Sequence, residues 1–95
     1  MTAQTATTVT NEIAEIIWTA EQEATGVFSA GVGRKQAQEL VKEGYSFDPA
    51  QTPADEHEVF GVLAAVEDEV TGFFRAQVAR SISRTLVKCG LTVQR

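Results

Sequence analysis

From Pro53 to Cys89 the chain reads as helix throughout, yet the side that carries its apolar residues changes partway along. Placed at about 100° per residue, Val59, Val62, Leu63, Val66, Val70, Phe73 and Phe74 fall within an arc of roughly 120°. After Phe74 that stripe stops. Val78, Ala79, Ile82, Leu86 and Cys89 form a second stripe on roughly the opposite side, and Arg80, Arg84 and Lys88 take over the first at i, i+4, i+8. A straight helix over this segment would span about 55 Å, well beyond the roughly 30 Å of a small domain. The segment must therefore bend near Gly72 or bury its halves against different partners. The expected fold is all-α, with three to four helices and a long C-terminal helix over about residues 53–89, straight or kinked. A homodimer is expected with it, its oligomer interface formed by Val78, Ile82 and Leu86.

Charge divides the chain in the same place. Residues 1–74 hold all 13 acidic groups and only Arg34, Lys35 and Lys42 as basic ones, a net −10. Residues 75–95 carry Arg75, Arg80, Arg84, Lys88 and Arg95 and no acid, a net +5. An antiparallel pair of long segments would lay each acidic half along the other chain's basic half.

The rest of the chain also reads as helical. Ile13, Ile16, Ile17, Ala20 and Ala24 repeat at helical spacing from Thr10 onward, with Gly26 as a stop. A second helix is expected from about Arg34 to Glu43, closed by Gly44. Thr52 suits an N-cap and Pro53 the first helical position of the long segment. Tyr45 and Phe47 are expected to cap the core. Residues 1–8, uncharged and with little to bury, are expected to form a disordered tail before a single helical domain over 9–95. No internal repeat stands out, and Leu91–Gln94 is too short to count as a strand. With one cysteine and no leading apolar run or membrane span, the chain is expected to be cytoplasmic, without disulfides and away from membranes.

Motifs that carry chemistry are weak. Gly31-Val32-Gly33-Arg34-Lys35 begins like a phosphate-cradling loop, but Gln36 stands where a dinucleotide fingerprint needs glycine, and no strand precedes it. Asp55, Glu56, His57 and Glu58 gather carboxylates around the only histidine. Consecutive helical residues diverge by about 100°, however, so these do not converge on a metal or a proton. Cys89, on an apolar face, reads as a buried thiol. No catalytic, cofactor or metal site is expected, and the protein reads as a non-enzyme.

Trp18 projects roughly 140° from Ile13 on the helical wheel, off the apolar stripe. It is either a partner contact or covered by another helix of the same chain. The expected function is a non-enzymatic, oligomeric interaction module, acting as an adaptor, regulator or inhibitor. It would bind a protein partner through Trp18, Arg80, Arg84 and Lys88. The alternative is a nucleic-acid-binding regulator that lays the basic stripe on phosphates, a reading weakened by the acidic remainder of the chain.

Overall fold

The computed structural model describes residues 5–95. They form helices α1 (Ala6–Thr25), α2 (Ala30–Lys42), α3 (Glu56–Thr71) and α4 (Ala76–Lys88), with short strands β1 (Tyr45–Ser46), β2 (Thr52–Pro53) and β3 (Thr92–Val93). Each helix packs chiefly against two others, closing a ring in the order α1, α2, α3, α4 and back to α1. The strands form a small antiparallel sheet in the order β1-β3-β2.

The segment 53–89 is two helices. Gly72 adopts φ 91°, and its amide donates to the Asp68 carbonyl at 2.8 Å, which closes α3 with a left-handed residue that a side chain would disfavour. The chain then folds back through Phe73–Arg75 into α4. This hairpin explains the change of apolar face: α3 and α4 turn their stripes toward one core, which buries Val59, Leu63, Ile82 and Leu86 together with Ile13, Ile17 and Leu40. Neither half waits for a second chain. Ile82 and Leu86 are 2% and 0% exposed inside the monomer, and Val78 is partly buried against the same core. The oligomer interface expected at Val78, Ile82 and Leu86 is thus occupied from within.

Several boundaries also move. Thr52 and Pro53 pair with β3 rather than opening a helix, and Asp55 is the cap, its carboxylate accepting from the His57 amide at 2.8 Å. Leu91 is buried beside the strand that follows it. Of the tail expected over residues 1–8, residues 1–4 lie outside the described residues. Ala6 onward is helical, capped by the Thr5 hydroxyl accepting from the Thr8 amide at 3.1 Å. The second helix begins at Ala30, four residues earlier than its periodicity suggests. Tyr45 is buried and Phe47 packs on the core, as expected of the two rings.

The ring exposes an internal repeat that the sequence reading missed. Shifting the sequence by 46 positions brings α2 into register with α4, the end of α1 onto that of α3, and β1 to within one residue of β3. Half of the positions from Thr25 to Gly44 are then identical: Thr25/Thr71, Gly26/Gly72, Phe28/Phe74, Ala30/Ala76, Val32/Val78, Arg34/Arg80, Leu40/Leu86, Val41/Val87, Lys42/Lys88 and Gly44/Gly90. All four of the glycines with positive φ, Gly26, Gly44, Gly72 and Gly90, are pairs under this shift. So is the β-bridge of Ser46 to Thr92, which joins a residue to its own equivalent. An approximate two-fold axis therefore runs through that bridge and relates two helical hairpins. β2, which has no equivalent on the other side, breaks it.

Candidate functional site

The two hairpin turns lie at one end of the ring, because the last turns of α1 and α3 are tied together there. Glu21 and Glu67 are equivalents, both 4% exposed. Each reaches forward to the backbone amide opening the next helix, Glu21 Oε1 to Ser29 N at 3.2 Å and Glu67 Oε1 to Arg75 N at 3.3 Å. Arg75 then bridges the two carboxylates, Nη2 donating to Glu21 Oε2 at 2.7 Å and Nε to Glu67 Oε2 at 2.6 Å. The hydrogen bond with Glu21, reinforced by Glu67, holds the Arg75 guanidinium above its ordinary pKa, so it stays charged under all working conditions. Ser29 occupies the position equivalent to Arg75, so one cation serves two carboxylates. In each turn the threonine hydroxyl donates forward to the carbonyl two residues on, Thr25 Oγ1 to Val27 O and Thr71 Oγ1 to Phe73 O, both at 2.7 Å.

The apolar side chains of these turns stay outside the core. Val27 is 68% exposed and Phe73 61%, with Phe28, Val70 and Phe74 above 40%. These five are the exposed large hydrophobic residues among those described, and all belong to the turns or to the helix end leading into one.

Behind each turn sits a stack of three side chains. Phe28 lies against Trp18 with ring centroids 5.8 Å apart, and the Arg34 guanidinium lies 5.5 Å from the Trp18 centroid. In the second hairpin Phe74 meets Phe60 edge-on at 6.2 Å, and Arg80 lies 5.3 Å from the Phe60 centroid. Phe28/Phe74 and Arg34/Arg80 are equivalents, whereas the aromatic between them moves by one helical turn, from position 18 on α1 to position 60 on α3. Cation–ring and ring–ring contacts of this kind contribute about 0.5–1.5 kcal/mol each.

Trp18 is covered from its own chain: Nε1 donates to the Ala30 carbonyl at 3.2 Å, and Phe28 and Arg34 flank the ring. Arg84 sits 3.8 Å from Glu56, and Arg95 pairs with Glu58. The acidic start of α3 thus meets basic groups of its own chain, the pairing that sequence assigned to a second copy. Arg80 is taken up by Phe60, and Lys88 lies exposed in the last turn of α4. Cys89 is exposed, correcting the buried thiol. Gly31 to Lys35 are helical, which leaves no loop to cradle a phosphate. No group of three or more potential metal ligands converges among the described residues, and none of their helices is long and apolar enough to cross a membrane.

Sequence reasoning passed over Glu21, Glu67, Arg75 and Phe28 as site residues, and it placed Phe73 and Phe74 on the first apolar stripe, whereas the turn exposes both. The signal that could have found them is the duplicated Thr-Gly-x-Phe-x-Ala at 25–30 and 71–76, with a glutamate four residues ahead of each. The chain gives no match to a protein-family model, to a curated protein or to a solved structure.

Proposed function

We propose that this chain is a non-enzymatic interaction module that docks onto protein through the apolar end formed by its two hairpin turns. The observation that carries the reading is the exposure of Val27, Phe28, Val70, Phe73 and Phe74 on turns held rigid by Glu21, Arg75 and Glu67. Together they offer on the order of 450 Å² of apolar side chain, the size of the largest patch on a typical monomer and one that is often functional. A standard interface buries about 800 Å² per partner, so a contact built on this end alone belongs to the weak, reversible class. Three phenylalanines and two valines carried on an ordered backbone lose less entropy on binding than a loose segment would, which favours such a contact. A second copy is the simplest occupant, and self-association then moves from the α4 stripe to this end.

The nucleic-acid alternative loses support, since Arg75, Arg84 and Arg95 face carboxylates of their own chain and Arg80 faces a ring.

The test pairs sedimentation with site-specific photocrosslinking. Val27→Ser with Phe73→Ser removes the most exposed apolar groups without touching the core. Concentration-dependent association of the wild type at tens of micromolar that this double variant loses would support the reading with a second copy as occupant. If the wild type is monomeric, a photocrosslinker at position 73 should form adducts with another protein in the native host that a crosslinker at the exposed Gln38 does not. Equal yields at both positions, or salt-sensitive binding to duplex DNA that maps to α4, would overturn it.

A further inference from the structure

At the hairpin turns, every helix end lacks the charge that its own dipole favours. Helix dipoles favour acidic groups at the N-terminus and basic groups at the C-terminus. The sheet end of the ring follows that rule, with Glu56 and Glu58 opening α3 and Lys42 and Lys88 closing α2 and α4. The turn end reverses it. The last turns of α1 and α3 hold no basic residue and carry Glu23 on α1 and Asp68 and Glu69 on α3. The first turns of α2 and α4 hold no acidic residue, and Arg34, Lys35 and Arg80 follow in the second turns. Among the described residues, no ion pair engages Glu23, Asp68, Glu69 or Lys35. The buried Glu21 and Glu67 accept from one amide each on the inner side, which leaves the outward face unmatched.

In ring order the end is therefore negative on α1, positive on α2, negative on α3 and positive on α4. The approximate two-fold axis repeats the pattern, since Glu23 and Glu69 are equivalents, as are Arg34 and Arg80. The alternation surrounds the five exposed apolar side chains, and such a face is its own complement. A second copy turned over about an axis lying in the face, between α1 and α2, sets α1 over the α2 of its partner and α3 over the partner's α4. Acidic ends then meet basic ones at all four positions, and each negative dipole end faces a positive one.

We infer that the turn end is a head-to-head homodimer interface in which α1 of one copy stacks on α2 of the other, and α3 on α4. The inference rests on the apolar end being the docking surface and adds its occupant and register. A partner of one charge sign would match two of the four helix ends and oppose the other two, whereas a second copy matches all four. The two copies present the same patch to each other, the closed two-fold arrangement commonest among homo-oligomers. The 20 residues of α1 span about 30 Å, so the helix runs along the 39 Å dimension and the end face is the 23 × 22 Å cross-section. Burial is then on the order of 500 Å² per copy, the low end of specific interfaces, and the dimer is weak and reversible.

Two charge variants test the register, and each suits the monomer. Glu23→Lys with Glu69→Lys puts cations at two helix C-termini. Gly31→Glu with Gln77→Glu puts acids at two N-termini, and a β-carbon on Gly31 meets nothing within 4 Å. Each should melt no lower than the wild type. In sedimentation each alone should associate at least tenfold more weakly, because its end face then carries mostly one sign, and an equimolar mixture of the two should recover association as a mixed dimer. Spin labels on Cys89, exposed at the far end of α4, should lie at least about 40 Å apart in the dimer, since the 13 residues of α4 hold each label about 20 Å from the interface. Labels well inside that distance would overturn the inference. A wild type that stays monomeric at tens of micromolar would also overturn it and leave docking on a different protein standing. Association lost in Val27→Ser with Phe73→Ser but untouched by the charge variants would keep the apolar end and overturn the register. Association that survives the serine pair would overturn both.

Discussion

A β-carbon placed on Gly33 would lie 2.5 Å from Trp18 Nε1 and 2.6 Å from its Cδ1. The indole can therefore lie across α2, donating to the Ala30 carbonyl, only because position 33 has no side chain. The second hairpin solves the same crossing the other way: the equivalents of Trp18 and Gly33 are Ala64 and Ala79, a small residue on each helix.

Gly33→Ala should thus destabilise the fold by about 1–3 kcal/mol, the usual penalty for overpacking. This exceeds the gain of about 1 kcal/mol expected from replacing glycine inside a helix. Trp18 fluorescence should shift as the ring swings outward. Trp18→Ala with Gly33→Ala, which copies the second hairpin, should recover part of the loss. A higher melting temperature for Gly33→Ala with unchanged fluorescence would show that the contact is not limiting.

Trp18→Ala alone removes a ring contact, a cation contact and a hydrogen bond from a half-buried site. A loss of about 2–3 kcal/mol is expected, less than the 3–5 kcal/mol of a fully buried aromatic. On the helical wheel Trp18 lies off the apolar stripe of α1, which leaves a partner and a second helix of the same chain as equal readings. The wheel places a residue relative to its own helix only. Whether α2 crosses on that side depends on the hairpin, which no local pattern reveals.

The same limit explains the other departures. Helix existence was legible in Ile13, Ile17, Leu63 and Leu86, because burial imposes the 3.6 period directly. The break at Gly72 was legible only as an ambiguity, since both halves satisfy that period. Reading 53–89 as one element also hid the repeat, because it joined the end of one hairpin's first helix to the start of its second. At the candidate site, nothing in the local sequence distinguishes Glu21 and Glu67 from solvated charges. Their burial follows from tertiary partners, Arg75 and two backbone amides, that lie up to 54 residues away.

Gly72→Ala places a side chain at φ 91°, where the left-handed conformation costs an L-residue roughly 1–2 kcal/mol. Nothing lies within 4 Å of the added carbon, so that backbone term should be the whole effect. Gly26→Ala, at φ 88° and equally open, should cost the same within a few tenths of a kcal/mol. Chemical denaturation measures both. A stabilised Gly72→Ala protein with greater helicity would indicate that α3 and α4 can fuse.

Tyr45 is buried, and that burial raises its pKa, with Glu58 adding to the effect. The fold therefore favours the neutral phenol. Stability from this group is fully present below the unfolded-state value of about 10 and declines as pH climbs through the raised folded value. Melting temperatures between pH 8 and 11 should fall more steeply for the wild type than for Tyr45→Phe. Parallel profiles would place the alkaline loss elsewhere.

Arg75→Met tests the bridge that sets the two turns side by side. Removing one partner of a buried ion pair leaves its carboxylates unpaired, here Glu21 and Glu67 together, at side-chain exposures of 5% and 6%. The full penalty for such a loss is about 3–5 kcal/mol. Arg75 is itself 37% exposed, so solvent screens part of the interaction and about 2–3 kcal/mol is expected. Adding Glu21→Gln and Glu67→Gln should restore most of it, because neutral amides can still accept from the Ser29 and Arg75-position backbone N–H groups without a buried charge to neutralise. The double glutamine change in the wild-type background should instead destabilise, by stranding the guanidinium. Guanidinium chloride unfolding of the four proteins gives the coupling directly. Additive losses across the set would mean that Arg75 positions its turn through packing alone.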